Sequence, residues 1–201
     1  MNEPTFIPAI DDPEQSLCVR CGLCCDGTLF ERALVSGEDD LALLRSDGFH
    51  LHTAGDRTGF ALPCHHHCDR VCTVYQRWRP QVCHTFRCAL LRRVENRELS
   101  WEDASAQIDR TVALADRIWA QLPVQNVQES KSLKQSTSAW VQAQTAAGVD
   151  VQRTYTKFML DFAGLQRLLD LHFRTKVEME PSHENGGEDV NINVRQGTEH
   201  E

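Results

Sequence analysis

Four cysteines lie within eight residues near the start of the chain, in the stretch Cys18-Val19-Arg20-Cys21-Gly22-Leu23-Cys24-Cys25. Thiolates packed this closely repel one another, so the arrangement is stable mainly when a cation holds the sulfurs together. The C-x-x-C spacing lets two sulfurs turn toward one point, and Gly22 can adopt the positive φ that aims backbone amides at a sulfur. This stretch, which we call the cysteine knuckle, therefore predicts metal binding.

The adjacent pair Cys24 and Cys25 bears on the number of metals. Successive side chains diverge, so both thiols reach one ion only if the backbone is contorted. Ligation of two neighbouring metals, or of different irons in one cluster, is the easier geometry. A strained disulfide between the two neighbours is the alternative interpretation.

A second group of thiols and imidazoles follows between residues 64 and 88. Together with the knuckle it holds more thiols than one tetrahedral ion can use, and soft sulfur beside borderline imidazole serves both zinc and iron. Any single histidine here is more often a surface residue than a ligand, and the same holds for His50 and His52. The residues of the second group are Cys64, His65, His66, His67, Cys68, Cys72, Cys83, His84 and Cys88.

Arginine is the basic residue of this region, since residues 18–93 contain ten Arg and no Lys. Arg77, Arg79 and Arg87 fall among the cysteines. Guanidinium donors can hydrogen-bond thiolates and offset the negative charge of a four-sulfur site. A solvated positive face is an equally good interpretation of these arginines.

Charge and hydropathy limit the class of protein. Of the formal net charge of −8, residues 1–17 contribute −4 and residues 177–201 contribute −6, which leaves +2 for the body. A nearly neutral body argues against nucleic-acid binding. No run approaches the roughly 18 apolar residues of a membrane span, and no signal peptide opens the chain, so we expect a cytoplasmic protein with no membrane partner. In that reducing compartment, nine cysteines favour metal ligands over disulfides.

Up to residue 62 the sequence predicts short elements that would position these ligands. Residues 1–16 predict a flexible arm, and residues 27–30 predict the start of a strand. Ser36 is predicted to cap a helix that buries Leu41 and Leu44 and ends at Gly48. Alternating apolar residues from 49 to 53, a turn at 54–59 and a return at 60–62 predict a β-hairpin.

The rest of the chain predicts helices. Residues 63–88 hold too few aliphatic side chains for a core of their own, so something other than hydrophobic burial must order them. Apolar residues recur at helical spacing from a cap at Ser100 to Pro123. A polar connection over 124–135, a helix over 137–147 and a last helix capped by Asp150 follow. These apolar stripes indicate packing rather than a binding groove.

The predicted fold is mainly α, with a cysteine-rich, irregular, metal-stapled N-terminal lobe and a small β-hairpin. Residues 17–93 form the cysteine-cluster region, and residues 94–175 form a helical region packed on it within one domain. Residues 1–16 and the acidic residues 176–201, which we expect to be disordered, flank this domain.

The joint motif resembles the YkgJ-type cysteine-cluster family of zinc- or iron-chelating domains. It reads Cys18-x-x-Cys21-Gly22-x-Cys24-Cys25, Cys64, Cys72-x-x-Tyr75 and Arg79-Pro80-x-x-Cys83-x-x-Phe86-x-Cys88, and it covers about residues 18–88. His84 stands where that family has an arginine, Tyr75 is one residue further from Arg79 than usual, and Cys68 is extra. The resemblance implies eight metal ligands, namely Cys18, Cys21, Cys24, Cys25, Cys64, Cys72, Cys83 and Cys88.

A similar module accompanies flagellin lysine methylases, where an iron–sulfur cluster is implied, and this favours a 4Fe–4S cluster over zinc or mononuclear iron. We therefore expect a metal-binding protein whose metal adds on the order of 10 kcal/mol to folding. The alternatives are a metal-dependent, methylase-like enzyme acting on a protein or peptide substrate, and a zinc-stapled adaptor for another protein. No dinucleotide, phosphate or H-E-x-x-H motif supports a different enzyme class.

Overall fold

The computed structural model describes residues 13–37, 39, 41–123 and 131–175. About half of the described residues are helical, with a small antiparallel sheet, so the mainly α prediction is confirmed. The predicted arm over residues 1–12 and tail over 176–201 lie outside the described residues. Of the described helices, none is long and apolar enough to span a membrane. The elements are α1 Pro13–Cys21, β1 Arg32–Leu34, α2 Leu41–Ser46, β2 Leu51–Ala54, β3 Arg57–Ala61, β4 His67–Cys68, β5 Val71–Cys72, α3 Gln81–Thr85, α4 Ala89–Glu95, α5 Trp101–Trp119, α6 Leu133–Ala146, α7 Val151–Thr154 and α8 Thr156–His172.

The predicted hairpin is confirmed as β2 and β3, but the predicted turn at 54–59 is too long, because Ala54 already pairs with Arg57. Strand β3 also pairs with β1 in a three-stranded antiparallel sheet. A two-residue loop joins β2 and β3, and its first residue, Gly55, has a φ of +61°. Glycine at this position is typical of a type II′ turn, whose twist matches that of the flanking strands. Phe60 of β3 is buried and packs against Phe49, with ring centroids 4.7 Å apart.

Two predictions for the segments that precede β1 are wrong. Residues 27–30 form a turn rather than a strand start, because the Asp26 carboxylate accepts a hydrogen bond from the Thr28 amide at 2.8 Å. Pairing begins only at Arg32. Residues 13–16, predicted as arm, belong to α1.

The helix predicted after Ser36 begins later, at Leu41, and Ser36 does not cap it. Instead, the amide of Ser36 donates to the Asp39 carboxylate at 3.0 Å, and the second oxygen of Asp39 accepts from the amide of Gln81, where α3 begins. Leu44 is fully buried, whereas Leu41 is 36% exposed. The end at Gly48, with a φ of +93°, is confirmed.

The later helices follow the predicted caps with two differences. The Ser100 hydroxyl oxygen accepts from the Asp103 amide at 3.0 Å, which confirms the cap of α5. Helix α6 begins at Leu133, because Ser132 and Gln135 form a capping box inside the stretch interpreted as a connection. Asp150 caps α7 as predicted, but the last helix is interrupted at Tyr155, whose φ is −118°.

One buried apolar cluster contains residues from both the cysteine-rich and the helical regions. Leu17 and Leu23, which flank the first cysteines, are buried together with Ile108 of α5 and Leu165 of α8. Helix α1 packs on α4 and α5, and α5 packs on α8. The cysteine knuckle is therefore anchored in the main hydrophobic core rather than in a separate small one.

Candidate metal centre

The cysteine knuckle starts on the last turn of α1. Cys18 and Cys21 are three residues apart on this helix, so their side chains lie on neighbouring positions of its surface. Gly22 ends the helix with a φ of +62°, as the sequence predicts. Leu23 is fully buried and fixes the loop that carries Cys24 and Cys25.

A backbone hydrogen bond joins the second thiol segment to the knuckle: the Cys64 amide donates to the Cys25 carbonyl at 2.7 Å. The tight β4–β5 hairpin then places Cys72 opposite His67. Both of its loop residues, Asp69 and Arg70, have positive φ, at 47° and 63°. This geometry is typical of a type I′ turn, in which aspartate is favourable but arginine at positive φ is uncommon.

The third segment carries Cys83 on α3 and Cys88 at the N-cap of α4. Between them, Phe86 packs edge-on against buried Phe30, with ring centroids 5.4 Å apart. The Ala89 amide donates to the Phe173 carbonyl at 2.9 Å, which ties Cys88 to the end of α8.

Two adjoining cavities collect these thiols. The first, the helix-side cavity, measures about 40 Å³ and has apolar walls from α1, α4, α5 and the end of α8. The second, the hairpin-side cavity, measures about 100 Å³ and lies toward the sheet and the β4–β5 hairpin. Each has room for more than a single water molecule. Cys18, Cys21, Cys24, Cys25 and Cys88 line the helix-side cavity, and Cys18, Cys24, Cys25, Cys64, Cys72 and Cys83 line the hairpin-side cavity.

All eight cysteines that the family resemblance implies as ligands thus line one cavity or both. Cys24 and Cys25 line both, so this pair sits at their boundary. Cys68 is exposed and, of the nine cysteines, all of which are described, it alone lines neither cavity. All nine are free thiols, so the alternative of a vicinal disulfide is not what the structure contains.

Burial sets the protonation of these thiols. Desolvation raises the pKa of Cys21, Cys24 and Cys25 well above the ordinary value, and neighbouring thiols raise it further. Burial likewise raises the pKa of Cys64 to about 11 and that of Cys83 to about 12. At neutral pH these groups keep their protons unless a cation replaces them.

Cys18 is exposed as a residue, but its thiol is desolvated and lines both cavities. Burial raises the pKa of this thiol, while the charges of Arg79 and Arg87 oppose the rise.

Of the three arginines among the cysteines, Arg79 is the best placed to donate a hydrogen bond to a thiolate. It lines the hairpin-side cavity, its guanidinium lies 4.0 Å from the Tyr75 ring centroid, and a terminal nitrogen lies 3.3 Å from His84 Nδ1. Its Nε is buried and has no hydrogen-bond partner among the described residues. Arg87 instead donates to Glu95 and to two carbonyls, and Arg77 is exposed. The predicted role toward sulfur therefore fits Arg79 best.

The three consecutive histidines separate. His65 and His66 lie against Asp47, and both His66 and His67 line the hairpin-side cavity. His67 Nε2 is buried without a hydrogen-bond partner among the described residues. A Cβ on Gly22 would lie 2.6 Å from this nitrogen, so the knuckle needs glycine for close approach as well as for φ. His50, His52 and His84 are exposed.

Sequence analysis missed Asp47 as a functional candidate, because a single acid at the end of a helix carries no motif. Within the described ranges, Asp47, His65 and His66 form the one trio of potential ligand atoms that all lie within 4.8 Å of one another. No three thiol sulfurs there approach so closely. Four sulfurs around one tetrahedral zinc ion would be about 3.8 Å apart, given the Zn–S bond length.

Comparison with protein-family models, with curated proteins and with solved structures finds no match for this chain. The resemblance to the YkgJ-type family therefore depends on the cysteine motif and its spacing alone.

Proposed function

We propose that this protein binds a metal centre through Cys18, Cys21, Cys24, Cys25, Cys64, Cys72, Cys83 and Cys88. The observation that carries the proposal is the convergence of eight thiols from three separate segments on two adjoining cavities. Thiols gathered at this density in one place have little packing rationale, since a buried cysteine otherwise behaves as a small apolar residue.

The local structure around the second and third segments supports the same conclusion. Between residues 63 and 88 the only buried residues are Pro80 and Val82, and two of the strands are only two residues long. Hydrophobic burial alone gives such a segment little stability. A metal that links Cys64, Cys72 and Cys83 to the knuckle would supply the missing free energy.

We favour a 4Fe–4S cluster over zinc. One such cluster takes four cysteine ligands, so the eight thiols are enough for a second centre. Among the described residues no three thiol sulfurs lie within 4.8 Å of one another, whereas a tetrahedral zinc ion would hold them about 3.8 Å apart. Wider sulfur spacing suits a cluster, because its own iron and sulfide atoms lie between the cysteine sulfurs. The position of Cys24 and Cys25 at the boundary of both cavities fits ligation of different irons or of two neighbouring centres. An iron–sulfur cluster, when bound, supplies one-electron transfer.

The protein's own residues would protect and tune such a centre. Leu17, Leu23 and Phe173 close the helix-side cavity with apolar side chains and exclude water. Arg79 Nε and His67 Nε2, both buried beside the hairpin-side cavity without partners among the described residues, can donate hydrogen bonds to sulfur. All nine cysteines are free, which fits a reducing compartment such as the cytoplasm.

Anaerobic purification with quantification of iron, acid-labile sulfide and zinc tests the proposal. We expect iron and sulfide in equal amounts, a brown sample and broad absorbance in the visible range. Zinc in a colourless sample would keep metal binding and reject the cluster. A sample with neither metal, in which all nine thiols react at once with a thiol reagent under native conditions, would reject metal binding itself.

A further inference from the structure

A second group of potential ligands lies outside the eight cysteines, where the end of α2 meets the loop between β3 and β4. Asp47 immediately follows α2, and its amide donates to the Leu43 carbonyl at 2.9 Å. The Gly48 and Phe49 amides then donate back to the Arg45 and Leu44 carbonyls at 3.1 and 3.0 Å. These two bonds form a Schellman motif, so the carboxylate of Asp47 projects from a fixed backbone.

The imidazoles of His65 and His66 are held beside this carboxylate. Their ring centroids lie 4.0 Å apart. Both rings pack edge-to-face with Phe49, whose ring centroid lies 4.7 Å from that of His65 and 5.7 Å from that of His66. Phe49 is buried against Phe60 of the sheet. The two rings therefore rest on a rigid aromatic wall rather than moving freely in solvent.

Both Nε2 atoms converge on one oxygen. His66 Nε2 lies 2.6 Å and His65 Nε2 lies 4.0 Å from Asp47 Oδ2, and the three ligand atoms all fall within 4.8 Å of one another. Ligand atoms around a tetrahedral zinc ion are about 3.4 Å apart, given Zn–N and Zn–O bonds near 2.1 Å. The observed separations bracket this value, so modest side-chain shifts would complete the geometry.

We infer that Asp47, His65 and His66 form a second metal site, for a borderline divalent cation such as Zn²⁺, Co²⁺ or Fe²⁺. Two imidazoles and one carboxylate are the donor set that these ions accept. Three protein ligands leave at least one coordination position for water or a small ligand. The side chains of Asp47 and His65 are 34% and 39% exposed, so this position faces solvent. The site contains none of the eight cysteines and does not depend on the function proposed above.

A purely structural role would use the same hydrogen bonds without a metal. His65 Nε2 already lies 2.9 Å from the Asp47 carbonyl oxygen, and the His66 contact alone could link the loop to α2. Addition of a metal ion distinguishes the two roles, because only a metal site binds the cation.

Titration of the purified protein with Co²⁺ tests the inference. Cobalt bound to imidazole and carboxylate lacks the thiolate-to-cobalt charge-transfer band that cobalt bound to cysteine shows. We expect equilibrium dialysis to detect one equivalent of Co²⁺ beyond any that the cysteines bind. This further equivalent should not produce the charge-transfer band. His66→Ala and Asp47→Asn should weaken its binding by more than the roughly 10- to 100-fold that loss of an outer-shell partner causes. His52→Ala, on the exposed face of β2, should leave it unchanged.

A measurement on the unaltered protein covers the case in which a variant fails to fold. Bound Co²⁺ is paramagnetic, so it should shift and broaden the imidazole NMR signals of His65 and His66 but leave those of His52 in place. The inference is overturned if the further equivalent is absent, if it carries the thiolate band, or if these two imidazoles do not respond.

Discussion

At the scale of single residues, the cysteines divide by their surroundings rather than by their number. Eight line the cavities, and burial desolvates the thiols of Cys21, Cys24, Cys25 and Cys83, which makes each of these four costly to ionise without a cation. Cys68 lies on the surface, with its sulfur 3.7 Å from the His65 carbonyl. All nine side chains are the same thiol, so only their positions distinguish the eight proposed ligands from Cys68, which we do not propose as a ligand.

This difference predicts unequal effects of serine substitution. Cys83→Ser should lose metal and lower the thermal midpoint, because one sulfur of the proposed centre is replaced by a poor ligand. Cys68→Ser is the matched control and should change neither the metal content nor the midpoint. Metal analysis and thermal unfolding of both variants check the prediction, and equal losses from the two would show that the ligand assignment is wrong.

The raised thiol pKa values predict opposite pH responses with and without metal. In the metal-free protein, burial raises the pKa of Cys64 from 9.0 to about 11, so the folded state holds its proton more tightly than the unfolded state. The stability from this difference is complete below about pH 9 and is lost as pH rises toward 11. The midpoint of chemical unfolding of chelator-treated protein should therefore fall across this range.

Metal affinity should change in the other direction. Binding displaces the thiol protons, so the apparent affinity should rise with pH, and proton release should accompany binding at neutral pH. Competition with a chromogenic chelator at several pH values measures this slope. An affinity independent of pH would indicate that thiols are not the ligands.

At the scale of secondary-structure elements, ion pairs hold the β4–β5 hairpin at Arg70, the loop residue that its turn disfavours. Arg70 has a positive φ and pairs with Asp26 at 3.3 Å and with Asp116 of α5. Asp26 in turn fixes the loop after the knuckle through the Thr28 amide. One arginine thereby connects the hairpin, the knuckle and the longest described helix.

Arg70→Ala should destabilise the protein by about 1–3 kcal/mol, because it leaves the Asp26 carboxylate, only 14% exposed, without its cation. Arg20→Ala is the matched control, since it removes an arginine from an ion pair with Asp109 whose members are 47% and 60% exposed. Such a surface pair contributes at most about 1 kcal/mol. Denaturant unfolding of the two variants compares them, and similar losses would contradict the connecting role of Arg70.

Local signals identified those elements whose ends are fixed by neighbouring residues. Ser100, Asp150 and the Gly55 turn work through bonds or φ values within a few residues, so their positions could be predicted. Strand β1 and helix α3 could not, because β1 is defined by pairing with residues 59–61 and α3 by the Asp39 carboxylate, 42 positions away. Distant partners of this kind leave no periodic pattern in the sequence.

At the scale of the whole molecule, the apolar core supports the cysteine-rich region from one side only. Helix α5 packs on α8 and on α1, whereas residues 63–88 contact this core through buried Val82 and the partly buried side chains of Cys64, Phe86 and Cys88. The proposed metal would replace the missing core on the other side.

Removal of metal should therefore loosen the molecule unevenly. After chelation we expect limited proteolysis to cut first within residues 63–88, while α5 and α8 stay protected by their buried side chains. Mass spectrometry of the early fragments, compared with those of untreated protein, checks this expectation. An unchanged digestion pattern, with metal removal verified by elemental analysis, would show that metal does not order this segment.

The sequence by itself determined the composition of the cysteine knuckle, its glycine turn, the hairpin and most of the helix caps, because these depend on residue type and short spacing. Tertiary structure alone decided that eight thiols meet at two adjoining cavities, that Cys68 stays outside, and that Asp47 joins His65 and His66. The physical reason is distance along the chain. Residues 18, 64 and 88 can share one site only after α1, the sheet and α5 have packed, and that packing follows from the buried surface of the whole chain.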